Sequence, residues 1–312
     1  MVFQKIKAML KKHISVCICS FKRPQFLQRT LENLRTLETE DLFDYSVVVV
    51  DNDREQTARA TTLDFASTAP VKVVYGVEPE QNISLARNKA LALATGDFIA
   101  WIDDDEFPER NWLLNFYKTL NQTNSGGALG PVEPVFESAP PSWVLKGKFF
   151  EKRRNRMTGS KLEWDQTSTA NALVRRDILK GLTEPFRRQF SSGCEDVDFF
   201  KRMMEYGHSF LWCNEAVVHE VIPPARCKRR YLLRRALLRG QNNRHFADTQ
   251  SILKSTVALP LYLMLLPFLL LIGQHLFVRY LVKIGDHAGK LLGVAGLTFM
   301  GKTYLNENFG NS

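Results

Sequence analysis

Two hydrophobic periods alternate along this chain. His13 to Cys19 reads as a buried strand, and Arg23 to Leu37 follows with Phe26, Leu27, Leu31 and Leu34 at helical spacing. Tyr45 to Val50 is a β-branched run that stops at Asp51, Asn52 and Asp53, and Val71 to Tyr75 is another short apolar strand. Ser84 is placed to cap a helix through Leu85, Ala86, Leu91 and Ala94, which Gly96 ends before the strand Phe98 to Ile102. Strands alternating with helices predict an α/β fold with a mainly parallel central sheet. Loops at the carboxyl ends of such strands present polar groups, so Asp51 and the triplet Asp103, Asp104 and Asp105 are expected to share one edge.

From Asn121 to Ser142 glycine and proline are frequent and the periodicity fades, which marks a crossing between two halves of the domain. Phe149 to Ser160 carries Glu151, Lys152, Arg153, Arg154 and Arg156 and reads as a mobile surface loop. Glu195 to Tyr206 reads as an amphipathic helix. Ser255 through Val278 contains no Asp, Glu, Lys or Arg, about the length a helix needs to cross a hydrocarbon core. Pro260 and Pro267 are expected to kink or break it, leaving spanning, re-entry and burial in one leaflet all open. Gly289, Gly293, Gly296 and Gly301 among apolar residues suggest a second, shorter interfacial element.

Composition narrows the class. With 45% hydrophobic and 24% charged residues, neither wholesale disorder nor a polytopic membrane protein fits. The 312 residues suit one large α/β domain of about 250 residues plus a C-terminal attachment. The five cysteines form no C-x-x-C pair, which argues against a disulfide framework or a zinc knuckle and for a reducing compartment. The formal charge of +9 points to phosphate-bearing partners. Much of the excess lies between Arg226 and Arg244, immediately before the apolar stretch, and favours the cytoplasmic side of a membrane. The N-terminal 1–12 alternates apolar and basic residues, a pattern for a short amphipathic helix on a membrane.

Carboxylates crowded at a strand end repel one another, and a divalent cation shared with a substrate diphosphate relieves that repulsion. Asp103 and Asp105 are the candidate ligands, and hard oxygen donors suit Mg2+ or Mn2+. The ordinary alternative is a solvated turn whose Asp caps a helix. Taken singly, Asp51 reads as a turn residue after a strand and Arg87 as a solvated helix residue. Glu195 and Asp196 read equally as first-turn acids favoured by a helix dipole.

Five motifs in order change that balance: CSFKRP at 19–24, VVVVDND at 47–53, ISLARN at 83–88, WIDDDE at 101–106 and CEDVDFFKRM at 194–203. Together they resemble the family 2 inverting glycosyltransferases of the GT-A (nucleotide-diphospho-sugar transferase) fold. The resemblance runs from His13 to Arg244 and is nearest to the bacterial exopolysaccharide and surface-glycan type, similar to succinoglycan biosynthesis enzymes. It implies that Ser20, Phe21 and Asp51 line the base and ribose pocket and that Arg87 approaches the diphosphate. Asp103 would reach the ribose or the metal, Asp105 would ligate the metal, and His219 would be a late ligand. Asp196 aligns with the base that accepts the acceptor hydroxyl proton, with Glu195 beside it. One departure is Cys19, where many relatives carry Thr, which removes a hydroxyl contact to the base.

Gln241 to His245 reads Q-x-x-R-H, close to the Q-x-x-R-W motif of processive synthases in the same family. His245 replaces the stacking Trp and the chain lacks several membrane helices, so single-sugar addition is expected; a basic helix against anionic lipid headgroups explains the segment equally. The organisation expected is a basic segment 1–12, a catalytic domain 13–250 with nucleotide-binding half 13–120 and acceptor half 121–250, and a membrane-associated region 251–312. The implied activity moves one hexose or N-acetylhexosamine from a UDP-sugar to a lipid-linked or surface glycan at the cytoplasmic face of the inner (plasma) membrane. A membrane is an expected partner and nucleic acid is not. The competing classes are a nucleotidyltransferase, which releases pyrophosphate, and a non-enzymatic basic module binding membrane or nucleic acid, whose binding weakens steeply with salt. A dinucleotide-binding dehydrogenase is disfavoured because no G-x-G-x-x-G follows the first strand.

Overall fold

The structure, a computed structural model, describes residues 11–151, 156–191 and 193–297. Nearly all of the expected N-terminal basic helix, the centre of the expected 149–160 loop and Gly301 lie outside the described residues. The chain gathers into two compact units. The first comprises Met1–Glu133, Lys152–Ser191 and Glu195–Glu220, and the second Pro134–Glu151, Ser192–Cys194 and Val221–Ser312.

In chain order the first unit begins β1 (Lys12–Ser20), α1 (Pro24–Leu34), β2 (Phe43–Asp51), α2 (Arg59–Thr68), β3 (Lys72–Val77), α3 (Ile83–Leu93) and β4 (Phe98–Ile102). There follow β5 (Glu106–Pro108), α4 (Trp112–Asn121), β6 (Gly127–Leu129), β7 (Val132–Phe136), α5 (Ser142–Gly147) and β8 (Asn171–Arg175). The chain then forms α6 (Glu195–Glu205), β9 (Phe210–Trp212), β10 (Val218–Ile222), α7 (Arg229–Asn242), α8 (Thr249–Ile272) and α9 (Gln274–Val294).

Seven strands form the main sheet in the order β3-β2-β1-β4-β8-β6-β9. β1 pairs in parallel with both β2 and β4, β2 with β3, and β6 with β9, while β8 runs antiparallel to its neighbours. The sheet is therefore mainly parallel, as its β-branched runs predict. Side chains alternate across it. Ile14, Val16 and Ile18 of β1 pack with Leu27 and Leu31 of α1 and with Trp112 and Phe116 of α4 on one face. Cys17, Val48 and Trp101 pack with Ala86 and Ala90 of α3 and with Phe199 and Phe200 of α6 on the other. Burial of each large side chain here contributes about 1.5–3 kcal/mol.

Two helix boundaries differ from the pattern reading. α1 starts with Pro24 in its first turn and stops at Leu34, so Leu37 joins the core from the following loop. The cap of α3 is Asn82, whose Oδ1 accepts from the Ser84 and Leu85 N–H groups at 3.0 and 3.4 Å; Ser84 lies inside the helix. Gly96 sits where a Cβ would lie 2.6 Å from the Ser15 backbone nitrogen, so the turn into β4 needs glycine for close approach.

In the second unit Val144, Phe150, Ile222, Cys227, Leu232 and Val278 form a separate apolar cluster. Phe149 meets Trp143 and Phe150 meets Phe136 edge-on, so the start of the expected mobile loop is packed by its two aromatic rings. The apolar stretch divides at Gly273 between α8 and α9, and α8 continues as helix through both Pro260 and Pro267. Gly240 of α7 and Gly289 of α9 bring these two helices together: a Cβ on either would lie 2.2 Å from a carbonyl oxygen of the partner helix. Gln241 backs onto the same seam, its backbone nitrogen 3.1 Å from where a Gly289 Cβ would stand.

Candidate functional site

The site is built at the carboxyl ends of β1, β2 and β4, where Ser20 and Asp51 are register partners. After β4 the chain turns sharply through Asp103, Asp104 and Asp105 into β5. The Asp103 N–H donates to Glu106 Oε2 at 3.1 Å, and the Glu106 N–H donates to the Asp103 carbonyl at 3.2 Å. Thr30 Oγ1 of α1 stands 2.9 Å from the Asp104 carbonyl and 2.5 Å from that of Glu106, tying the turn to the helix behind it.

The three carboxylates have different environments. Asp104 is fully buried, accepting from Ser20 Oγ at 2.7 Å and pairing with Arg23 Nη2 at 2.8 Å. Burial pushes its carboxyl up to about 7 although Arg23 opposes the shift, and the neighbouring Asp105 adds to it. Asp105 pairs with Arg23 Nη1 at 3.0 Å. The Asp103 side chain is 43% exposed, the most open of the three. Arg23 was not singled out from the sequence, although it stands within CSFKRP; only the fold shows its two nitrogens divided between two acids.

Asp51 is buried at the end of β2. Its Oδ2 accepts from the Ala58 N–H at 2.7 Å and the Tyr75 hydroxyl at 3.0 Å, while Oδ1 has no protein partner among the described residues. Burial raises its carboxyl above the ordinary range against those two hydrogen bonds. Such an orphaned buried oxygen is a place where a ligand donor group fits. Asn52 donates to the Glu78 and Glu80 carbonyls and accepts from the Asn82 N–H, which fastens this turn to the start of α3. Phe21 is half-buried beneath Lys22 Nζ, 5.5 Å from the ring centre, and Lys22 has a left-handed φ of 55°. Burial pushes the Cys19 thiol up to about 12, so it remains a neutral S–H.

Arg87 is buried, so it is no surface solvating residue. Its Nε donates to Glu195 Oε1 at 3.0 Å and its Nη2 lies 3.7 Å from Asp103 Oδ1, with the guanidinium 5.4 Å from the Trp101 ring centre. Opposite charges raise its own pKa against the effect of burial. Glu195 is also buried, and burial lifts its carboxyl to about 7 despite Arg87, with Asp196 adding repulsion. The adjacent Asp196 is half-buried, its Oδ1 accepting the Val197 N–H at 2.8 Å. Both acids stand in the first turn of α6, where the helix dipole favours them. The third acid of that turn, Asp198, is a structural anchor that sequence inspection passed over: Arg187 Nε and Arg202 Nε approach it at 2.9 and 3.0 Å.

His219 lies on β10 opposite Phe107 of β5, with its ring 5.2 Å from that phenyl ring. Its Nε2 is 3.3 Å from Glu109 Oε1 and its Nδ1 3.9 Å from Glu133 Oε2. Among the described residues no group of three or more His, Cys, Asp or Glu side chains forms a metal cage. Asp103 and Asp105 on one turn are nonetheless a donor set that fits Mg2+ or Mn2+, which typically fill their remaining positions with phosphate oxygens and water.

A cavity of about 400 Å³ is lined by Trp212, Asn171, Ser168, Thr167, Gln166 and Arg156. It lies on the same sheet edge, because Asn171 pairs with Ile102 at the end of β4. None of these residues carries a short motif, and they converge only through the sheet. A larger cavity of about 650 Å³, bordered by Lys12, Asp97 and Arg175, opens at the opposite strand ends, away from the acids.

Comparison with known proteins agrees with this architecture. The chain is 34% identical over 232 residues, 74% of each chain, to the succinoglycan biosynthesis protein ExoM of Rhizobium meliloti. Its fold is similar to that of S. aureus TarS 1-349 in complex with UDP-GlcNAc, with a TM-score of 0.55 at 14% identity over 92% of this chain and 93% of that one. GalNAc-T7 with UDP, GalNAc and Mn2+ aligns over 68% of this chain and 44% of that one, with a TM-score of 0.50 at 13% identity. The model of glycosyl transferase family 2 matches residues 15–183, more than half of the sequence. On that match and on the identity to ExoM, the chain belongs to glycosyl transferase family 2, with the GT-A fold.

Proposed function

We propose that this glycosyltransferase moves one hexose or N-acetylhexosamine from a UDP-sugar, with inversion, to a lipid-linked or surface glycan in bacterial polysaccharide assembly. The observation that carries the reading is Arg87, whose guanidinium meets both Asp103 of the strand-end acidic turn and Glu195 of the α6 motif. It joins three motifs far apart in sequence at one point of the sheet edge. The succinoglycan role in the name of ExoM supports a polysaccharide product, and the UDP-GlcNAc bound to TarS supports a UDP-sugar donor.

In this reading the orphaned Asp51 Oδ1 takes a donor group of the base or ribose, with Ser20 and Phe21 alongside. Asp103 and Asp105 would hold Mg2+ or Mn2+, whose chemistry there is to offset charge growing on the departing diphosphate. Asp196 accepts the acceptor hydroxyl proton as that oxygen attacks the anomeric carbon from the face opposite the diphosphate. Glu195 is held by Arg87 and positions its neighbour. The cavity at Trp212 and Gln166 is of a size to receive a sugar ring beside this centre. His219, paired with Glu109 and Glu133, serves as a late ligand only if those contacts open. The enzyme works at the cytoplasmic face of the inner membrane, with α8 as its lipid-facing helix.

Asp105→Ala tests the metal assignment. Metal-dependent UDP release in a screen of nucleotide sugars should fall roughly 100- to 1,000-fold, since a lost ligand forfeits several kcal/mol of transition-state stabilisation. Undiminished release at the parent's metal concentration would refute the role.

A further inference from the structure

The second unit contains a layered arrangement whose orientation in a membrane the proposed function leaves open. α8 has 24 residues and is long and apolar enough to cross a bilayer by composition alone. Only one stripe of it is covered. Ser255 Oγ meets His287 Nδ1 at 2.9 Å and Tyr262 meets Tyr280 edge-on, so α9 runs back antiparallel alongside it. Outside that stripe Leu253, Met264 and Leu271 are 64%, 72% and 86% exposed. A continuous apolar surface of this extent is not left in water.

α9 is amphipathic, carrying Arg279, Lys283, Asp286 and Lys290 along its length. Lys283 Nζ lies against the Tyr280 ring at 4.6 Å and the Tyr262 ring at 5.6 Å, at the level of the middle of α8. On its other side α9 is clamped to α7 by the glycine seam and by Arg239, whose Nε and Nη2 donate to Asp286 at 2.8 and 2.7 Å. α7 in turn carries Arg229, Arg230, Arg234, Arg235 and Arg239 with no acid. The three helices thus grade from cationic through mixed to predominantly apolar, with Lys254 near the start of α8 its one charged residue.

We infer that α8 lies within a single leaflet, parallel to the membrane plane, with the cationic α7 on the side of the anionic headgroups and α8 among the acyl chains. Were α8 to cross the bilayer, α9, packed antiparallel along it, would carry its charges into hydrocarbon, which is strongly disfavoured. The order of the layers instead follows the polarity gradient from headgroup to acyl chain. This inference rests on the membrane-association reading above and adds the topology: both ends of the hairpin stay on one side.

Tryptophan depth measurement in the full chain separates the cases. Leu253→Trp, Met264→Trp and Leu271→Trp place probes on one helix face, because 11 and 7 residues are close to whole turns, and the outer two are about 27 Å apart. Each is bound to anionic vesicles whose acyl chains are brominated at shallow or deep positions, and the signal of the parent's own tryptophans is subtracted. Equal quenching of all three by the same bromine position is expected. Deep quenching at Met264 with shallow quenching at both ends would overturn the in-plane inference while leaving membrane association standing. Absence of quenching at every position, in variants that still release UDP from donor, would instead sink the membrane reading and the inference with it. The three sites are exposed in the fold, so these replacements leave the core intact.

Discussion

Asp196→Asn is expected to lower the turnover number for sugar transfer about 100- to 10,000-fold, the range for loss of a positioned general base. Asn keeps the volume and the hydrogen bond from the Val197 N–H but cannot take a proton at neutral pH. Donor affinity should change little, because the acid stands in the first turn of α6 rather than at the β1 and β2 strand ends. Steady-state kinetics with a membrane lipid extract as acceptor, paired with calorimetry of UDP binding, would separate the two quantities. A turnover number within a few-fold of the parent's would move the base elsewhere, with Glu195 the next candidate.

Arg87→Met should be the most damaging single change to the fold of the site. Glu195 and Arg87 are both buried, and deleting one member of such a pair leaves the other without compensation, typically costing about 3–5 kcal/mol. Trp101 and Phe186 would keep an apolar neighbour in methionine, so the loss reports charge and hydrogen bonding rather than packing. Chemical denaturation at pH 8 should show the deficit in full. It should shrink at pH 5.5, where protonation of Glu195 removes the unpaired charge; an equal deficit at both values would contradict the pairing.

The same carboxyl gives the parent a pH signature. The folded-state pKa of Glu195, about 7, lies above its ordinary 4.5. The stability this group contributes is therefore present below about 4.5 and is lost as pH rises through 7. Glu195→Gln should flatten that part of the stability profile, measured by denaturation midpoints between pH 4.5 and 8 in the presence of a chelator. An unchanged slope would place the titration on another group.

Much of the first unit was legible because its signals are local. β1, β2 and β4 are runs of four or more apolar residues ended by polar ones, and a strand needs no partner to announce that pattern. The acidic turn follows from the same reasoning, since residues directly after a parallel strand emerge at its carboxyl edge. Asn82 rather than Ser84 caps α3: both are good caps, and the contact of Asn52 with Asn82 decides between them. Pro260 and Pro267 were expected to disturb the C-terminal helix, yet the break came at Gly273, where α9 turns back to pack on α8.

By itself the sequence determined the parallel sheet, the order of the five motifs, the acidic edge and the apolar tail, since each depends on spacing within a dozen residues or on composition. Tertiary structure alone decided that Arg87 is a buried bridge, that Arg23 divides itself between Asp104 and Asp105, and that Asp198 anchors α6. It alone laid the charged α9 along α8. The Arg87 and Arg23 contacts join residues far apart in the chain, and even at Asp198, whose partners Arg187 and Arg202 are near in sequence, a charged side chain reads the same whether water or an opposite charge surrounds it.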